Sequence, residues 1–132
     1  MCLTKVETIY ETPLTDTKIG YKVFDTYNNK LTFWLNYERV IEKDWNEDNN
    51  DYMLTNGSTG QSYPTGYHIY DSINAININL YRKTCYKVCR VQYTNIIVKG
   101  MNVGMGYGIT ERAGDEYLCF IARKFKILET LI

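Results

Sequence analysis

Histidine is nearly absent from this sequence of 132 residues, since His68 is the only one. One imidazole excludes metal sites built from several histidines and leaves a single candidate for histidine acid–base catalysis. The four cysteines, Cys2, Cys85, Cys89 and Cys119, form no Cys-x-x-Cys knuckle. We therefore expect reduced thiols that pack in the interior, with Cys85 and Cys89 in an apolar-rich run, and neither a metal ion nor a cofactor.

Long apolar runs are also missing. No stretch approaches the roughly 18 residues that a membrane span needs, and no apolar segment follows the first seven residues as it would in a secretory signal peptide. Fifteen acidic residues balance fifteen basic ones, so the net charge does not favour a long nucleic acid as a partner. The length and these absences predict one soluble domain, residues 1–132, that works in the cytoplasm without a membrane partner.

Tyrosine is the residue in excess, with 13 copies. Its ring packs while its hydroxyl needs a partner, so a tyrosine-rich chain suits half-buried sheet faces, binding clefts and the subunit interfaces of a homo-oligomer. The basic residues are unevenly spread, because residues 82–99 hold five of them and no acid. This stretch is either a solvated face or a patch for an anionic ligand.

The hydrophobic pattern predicts strands through most of the chain. They cover residues 3–10, 19–26, 31–37, 67–70, 85–93 with 95–99 as a separate strand or a continuation after a bend, and 117–128. We expect a loop with one or two helical turns at 38–52, an irregular loop at 56–66 and a glycine-rich loop at 100–114.

One helix is predicted, over about residues 73–82. Asp71 or Ser72 can cap it, and Ile73, Ile76 and Leu80 would share one face. The expected fold class is therefore α+β, with a curved, mostly antiparallel sheet of about five to six strands and one main helix packed on it.

A ligand site is predicted where the loops 56–66 and 100–114 would meet. Arginine forks suit phosphates and tyrosine faces suit bases, so the ligand would be small and nucleotide-like. The glycines of 104–108 have neither the spacing nor the following helix of a dinucleotide fingerprint. The candidate ligand-binding residues are Tyr63, Thr65, Tyr67, His68, Tyr107 and Arg112. The alternative for His68, which is the more common role of a lone histidine in a strand, is a structural residue that hydrogen-bonds the neighbouring loop.

Several short motifs carry a resemblance. They are Met-Cys-Leu at 1–3, Tyr-Lys-Val at 21–23, Gly-Tyr-His-Ile-Tyr at 66–70 and Ile-Ala-Arg-Lys at 121–124. In these the chain resembles a class of small bacteriophage and prophage proteins. The resemblance implies a protein that works in the host cell by binding, either blocking a defence enzyme or sequestering its nucleotide signal. It assigns no site residues.

Three functional hypotheses follow. The first is a non-enzymatic binding protein that sequesters a small nucleotide-like signal or inhibits a host defence protein. The second is a small enzyme acting on a nucleotide or glycosidic bond, with His68 and Glu111 or Glu116 as acid and base. The third is an interaction module that binds a host protein through the region of Trp34 and Trp45.

Overall fold

The computed structural model describes residues 3–27, 30–33, 36–50, 52–57, 59–81, 85–105 and 115–132. Its strands are β1 (Lys5–Leu14), β2 (Lys18–Tyr27), β3 (Lys30–Phe33), β4 (Asn36–Val40), β5 (Asn46–Glu47), β6 (Met53–Thr55), β7 (Ser62–Pro64), β8 (Tyr67–Tyr70), β9 (Lys87–Val103) and β10 (Glu116–Thr130). A 3₁₀ turn (Ile73–Ala75) and the short helix α1 (Ile78–Tyr81) separate β8 from β9. None of the helical segments in these ranges is long and apolar enough to cross a membrane.

Four strands of the main sheet pair in a closed circuit. β2 pairs with β9, β9 with β10 and β10 with β8, and the register of Tyr21 with Tyr70 joins β8 back to β2. All of these pairings are antiparallel. The arrangement is a small barrel, which β1 extends along β9 and which β3 and β4 extend beyond β2.

The long strand β9 changes its partner at Asn95. Before this residue it pairs with β2 as far as Tyr93, and after it the strand pairs with β1 from Ile96 onward. Asn95 has a φ of 56°, a left-handed conformation that asparagine tolerates better than most residues. Of the two interpretations left open by the sequence, the structure therefore has one continuous strand with a bend.

Two clusters of buried side chains lie on opposite faces of the barrel strands. One takes nearly all its members from β2, β8, β9 and β10, among them Phe24, Ile69, Val91 and Phe125, so we place it inside the barrel. The other also takes residues from the segment before β1, from β7 and from the helical segment, which cover the outer face. Inside the barrel the rings of Phe24 and Phe125 stack, with their centroids 5.7 Å apart.

The predicted α+β class is wrong, because the described chain is mainly antiparallel β and contains no main helix. The helix predicted over 73–82 is interrupted in its middle. Met105 donates its N–H to the carbonyl of Ala75 and accepts from the N–H of Asn77, and Ile76 forms a β-bridge with it. Tertiary hydrogen bonds thus hold the chain extended where three asparagines already weaken helix propensity.

Two of the predicted loops also contain strands. Within 56–66, the residues of β7 pair with β6, and Leu54 lies opposite Tyr63. Within 38–52, the described residues form the end of β4 and the short β5 and contain no helical turn. The glycine-rich segment begins as the end of β9, up to Val103, and its residues 106–114 lie outside the described ranges.

Candidate functional site

Three of the predicted ligand contacts are part of the protein interior. Tyr63, Tyr67 and His68 are 0%, 5% and 8% exposed. The Tyr63 hydroxyl accepts a hydrogen bond from the N–H of Leu3 at 2.7 Å and lies 3.1 Å from Nε2 of His68. The Tyr67 ring packs edge-on against Phe125, with the ring centroids 4.7 Å apart. These contacts account for the three side chains as packing and hydrogen-bonding groups.

The environment of His68 keeps its imidazole neutral. Burial, and next the nearby Lys22 ammonium, lower the pKa of His68 to about 3. Lys22 donates from Nζ to the His68 carbonyl oxygen at 2.9 Å, and burial lowers the pKa of Lys22 to about 8. A buried neutral imidazole bonded to Tyr63 matches the structural alternative for His68.

Of the remaining candidates, the structure describes only Thr65 and Glu116. Thr65 is half-buried and its N–H donates to the carbonyl of Tyr52. Tyr107, Glu111 and Arg112 lie outside the described residues. Glu116 lies on β10 five residues before Ile121, the residue in register with His68, which corresponds to about 17 Å along a strand.

Much of the basic stretch is either engaged or not described. Arg90 forms an ion pair with Glu129 at 3.1 Å, and Lys99 lies 3.9 Å from Glu7. Arg82 and Lys83 lie outside the described residues. The described part of 82–99 therefore presents no cluster of unpaired charges around Arg90 and Lys99.

The cysteines in the described ranges are all free thiols. Cys89 and Cys119 are buried, as expected, but Cys85 is exposed, contrary to the packing role predicted for it. Burial raises the pKa of Cys119 to about 12, which makes its thiolate inaccessible near neutral pH. The described residues also contain no group of three or more histidine, cysteine or acidic side chains placed to hold a metal ion.

A groove of about 880 Å³ opens beside the interior cluster of the barrel. Apolar side chains from β3, the turn after β4 and β10 line much of it, with charged residues among them. The lining residues are Lys30, Leu31, Val40, Ile41, Glu42, Lys43, Asp44, Trp45 and Ile127. Ile41, Leu31 and Ile127 also pack against the interior cluster, so a part of the groove wall belongs to the core of the fold.

Trp45 is the aromatic residue of this groove, and two lysines of β10 reach its ring. Nζ of Lys124 and Nζ of Lys126 each lie 5.2 Å from the indole centroid. Both lysines lie on the same face of the strand, because they are separated by one residue, the buried Phe125. Neither forms an ion pair within the described residues. We call Trp45, Lys124, Lys126 and the groove next to them the Trp45 site.

Asn46 holds the segment that carries Trp45. Its side-chain oxygen accepts from the N–H of Glu42 at 2.8 Å, and its amide nitrogen donates to the carbonyls of Glu42 and Asp44 at 3.2 Å. Its backbone pairs with Phe125 in the short β5–β10 ladder. The turn is therefore closed by one side chain and attached to β10, which sets the position of the indole relative to the lysines.

Replacing Asn46 with alanine is expected to loosen this turn without unfolding the barrel. Three hydrogen bonds are lost, at about 1 kcal/mol each, and we expect a more exposed and more mobile Trp45. The measurement is the fluorescence emission and anisotropy of a Trp34→Phe background, in which Trp45 is the only tryptophan left. Asn49→Ala is the matched control, since Asn49 is an exposed asparagine of the same segment. Equal spectra for the two variants would show that Asn46 does not position the indole.

One part of this site has a signal in the sequence. Lys124 and Lys126 flank Phe125 in the alternating part of the strand predicted over 117–128, and such alternation places two ammonium groups on one face. The third hypothesis above gives Trp45 a role only in a contact with a host protein. What could not be read from the sequence is the pairing of β5 with β10, which brings residue 45 next to residues 124–126.

Comparisons with protein-family models, with curated proteins and with solved structures find no match for this chain.

Proposed function

We propose that the protein is a non-enzymatic binding protein and that its Trp45 site holds a small nucleotide-like ligand. One observation carries the proposal: a groove of about 880 Å³, with much of its wall apolar, has an indole in that wall and two ammonium groups 5.2 Å from the indole centroid, neither of which forms an ion pair within the described residues. The groove would take the flat apolar body of the ligand, and the lysines would take its anionic part.

The size and composition of the groove suit such a ligand. Small-molecule pockets typically have volumes of about 300–1,000 Å³, apolar walls and a few placed polar groups. A base stacked on an aromatic side chain contributes about 1–3 kcal/mol. Trp45 is half-buried, so its ring is held in place and still partly accessible. On binding, the flexible lysine chains would move from the indole face to the anion.

Sequestration is the biological role that we propose for this binding. The resemblance to small bacteriophage proteins implies action on host defence, in the cytoplasm of an infected cell. Binding without turnover removes a signal from solution in proportion to the amount of protein present. His68 has no role in this binding, because its side chain is buried and its pKa is lowered to about 3.

The test is calorimetric titration with AMP, cyclic AMP and a cyclic dinucleotide. We expect at least one of them to bind and to be recovered intact after prolonged incubation. Its affinity for Trp45→Ala should be at least about tenfold weaker, because this variant lacks one stacking contact. Tyr52→Ala is the control, because Tyr52 is a 73% exposed aromatic residue that does not line the groove.

Two results would contradict the proposal. Absence of binding by all three nucleotides at millimolar concentration would remove the small-ligand function. A search for a host protein that binds the Trp45 region would then become the better experiment. Equal affinities for wild type and Trp45→Ala would place the ligand elsewhere on the protein.

A further inference from the structure

We infer that the anionic part of the ligand is a terminal phosphate, a phosphomonoester, held between Lys124 and Lys126. This inference rests on the proposed function and narrows it from nucleotide-like ligands in general to those that end in a free phosphate group.

Both ammonium groups lie close to the same aromatic ring. The Nζ atoms of Lys124 and Lys126 both lie 5.2 Å from one point, the centre of the Trp45 ring. Their strand is held in place on both sides, since Phe125 is in register with Tyr93 of β9 and with Asn46 of β5. Two positive charges thus lie around one ring and come from neighbouring positions on the same face of a rigid strand, which suits a single compact anion.

The charges around Lys124 and Lys126 favour an anion with more than one negative charge. The groove wall itself carries two carboxylates and two ammonium groups, from Glu42, Asp44, Lys30 and Lys43, and Glu47 is in register with Lys124. Within the described structure, neither Lys124 nor Lys126 forms an ion pair with Glu42 or Asp44. Two unpaired ammonium groups are matched by a phosphomonoester, which carries about −1.5 to −2 charges at pH 7. A phosphodiester, as in a cyclic nucleotide, carries only one negative charge.

The two cations next to Trp45 are lysines, and this residue type also favours a phosphate. A planar carboxylate is matched best by the fork of an arginine, whereas lysine acts as a point charge that suits the several oxygens of a phosphate. The arginine next to these lysines is already engaged, because Arg123 donates from Nη1 to the carbonyl oxygens of Asp48 and Asn50. Among the described residues, the cations that lie over the Trp45 ring are both ammonium groups.

The experiment compares adenosine, AMP, cyclic AMP and inorganic phosphate by calorimetry on the full chain. We expect AMP to bind at least about tenfold more tightly than adenosine or cyclic AMP, in line with charge-assisted hydrogen bonds from two ammonium groups. Inorganic phosphate should bind weakly and compete with AMP. The double variant Lys124→Gln with Lys126→Gln should lower the affinity for AMP to that for adenosine and leave the affinity for adenosine unchanged.

Lys18→Gln is the matched control, because Lys18 also lies over an aromatic ring, but that ring is Phe120, with its centroid 5.0 Å from Nζ, and not Trp45. It should leave the affinity for AMP unchanged. Equal affinities of the wild type for AMP and adenosine would overturn the phosphate inference and leave the proposed function standing. Equal losses of affinity for AMP and for adenosine in the double variant would also overturn it. The lysines would then support the structure of the groove and would not bind the phosphate. Failure of every nucleotide and nucleoside to bind would overturn the proposed function itself.

Discussion

Replacing Gly20 with alanine is expected to destabilise the protein by about 3 kcal/mol, at the upper end of the range for overpacking a core. Gly20 lies on β2 where this strand passes β8 to close the barrel. A Cβ atom at this position would lie 2.6 Å from the backbone oxygen of Tyr70, 2.7 Å from Cγ2 of Ile69 and 2.9 Å from Cε1 of Tyr93. One of these neighbours is backbone and two are buried side chains, so none can move away cheaply.

Gly57→Ala is the matched control for this substitution, since a Cβ atom at Gly57 would meet nothing within 4 Å. Urea unfolding of the two variants and the wild type measures the difference. We expect a lower midpoint for Gly20→Ala and a change within about 0.5 kcal/mol for Gly57→Ala. Equal midpoints for both variants would contradict the close passage of β2 over β8, and with it the closed barrel.

Lowering the pH from 7 to 5 is expected to lower the free energy of unfolding by about 2 kcal/mol through His68 alone. The pKa of His68 is about 3 in the folded protein, against an ordinary value of 6.5, chiefly because the imidazole is buried. Between these values the unfolded chain binds a proton that the folded chain does not bind. The contribution of the neutral His68 to the free energy of unfolding is therefore fully present above about pH 6.5 and is lost as the pH falls toward 3.

Urea unfolding at pH 7, 6 and 5 measures this slope. His68→Gln serves as the comparison, because glutamine keeps a polar group near the Tyr63 hydroxyl and does not titrate. We expect its stability to change much less with pH in this window, whatever its absolute value, since acidic side chains ordinarily titrate at lower pH. Parallel pH dependences of the wild type and His68→Gln would show that the imidazole can be protonated in the folded protein and is accessible to solvent.

Local patterns were sufficient to predict most of the strands. Residues 67–70 and 117–128 correspond closely to β8 and β10, and the pattern of 19–26 corresponds to β2. The predicted helix failed for a reason that is not local, since Ile76 is held extended by a bridge to Met105, 29 positions further along the chain. Periodicity at residues 73–80 could not reveal this partner.

The site was harder to predict than the strands, because its parts come from distant positions. Tyr63 and His68 looked like ligand contacts since they lie in or next to a polar loop, yet Leu3 and the barrel strands bury them. The Trp45 site joins a turn at 42–46 with residues of β10 about 80 positions later in the chain. Only the pairing of β5 with β10 brings these residues together, and the local patterns of a single sequence contain no information on such pairings.

The most direct test of the central claim is an NMR titration of the isotope-labelled protein with AMP. The account predicts that the largest shifts occur at the Trp45 indole N–H and at the backbone amides of 41–46 and 124–127, and that they follow a single saturating curve. The side-chain signals of Lys124 and Lys126 should shift with AMP and much less with adenosine. Shifts centred on Tyr63, Thr65 and His68, with Trp45 unchanged, would contradict the account and return the ligand to the loop at 56–66.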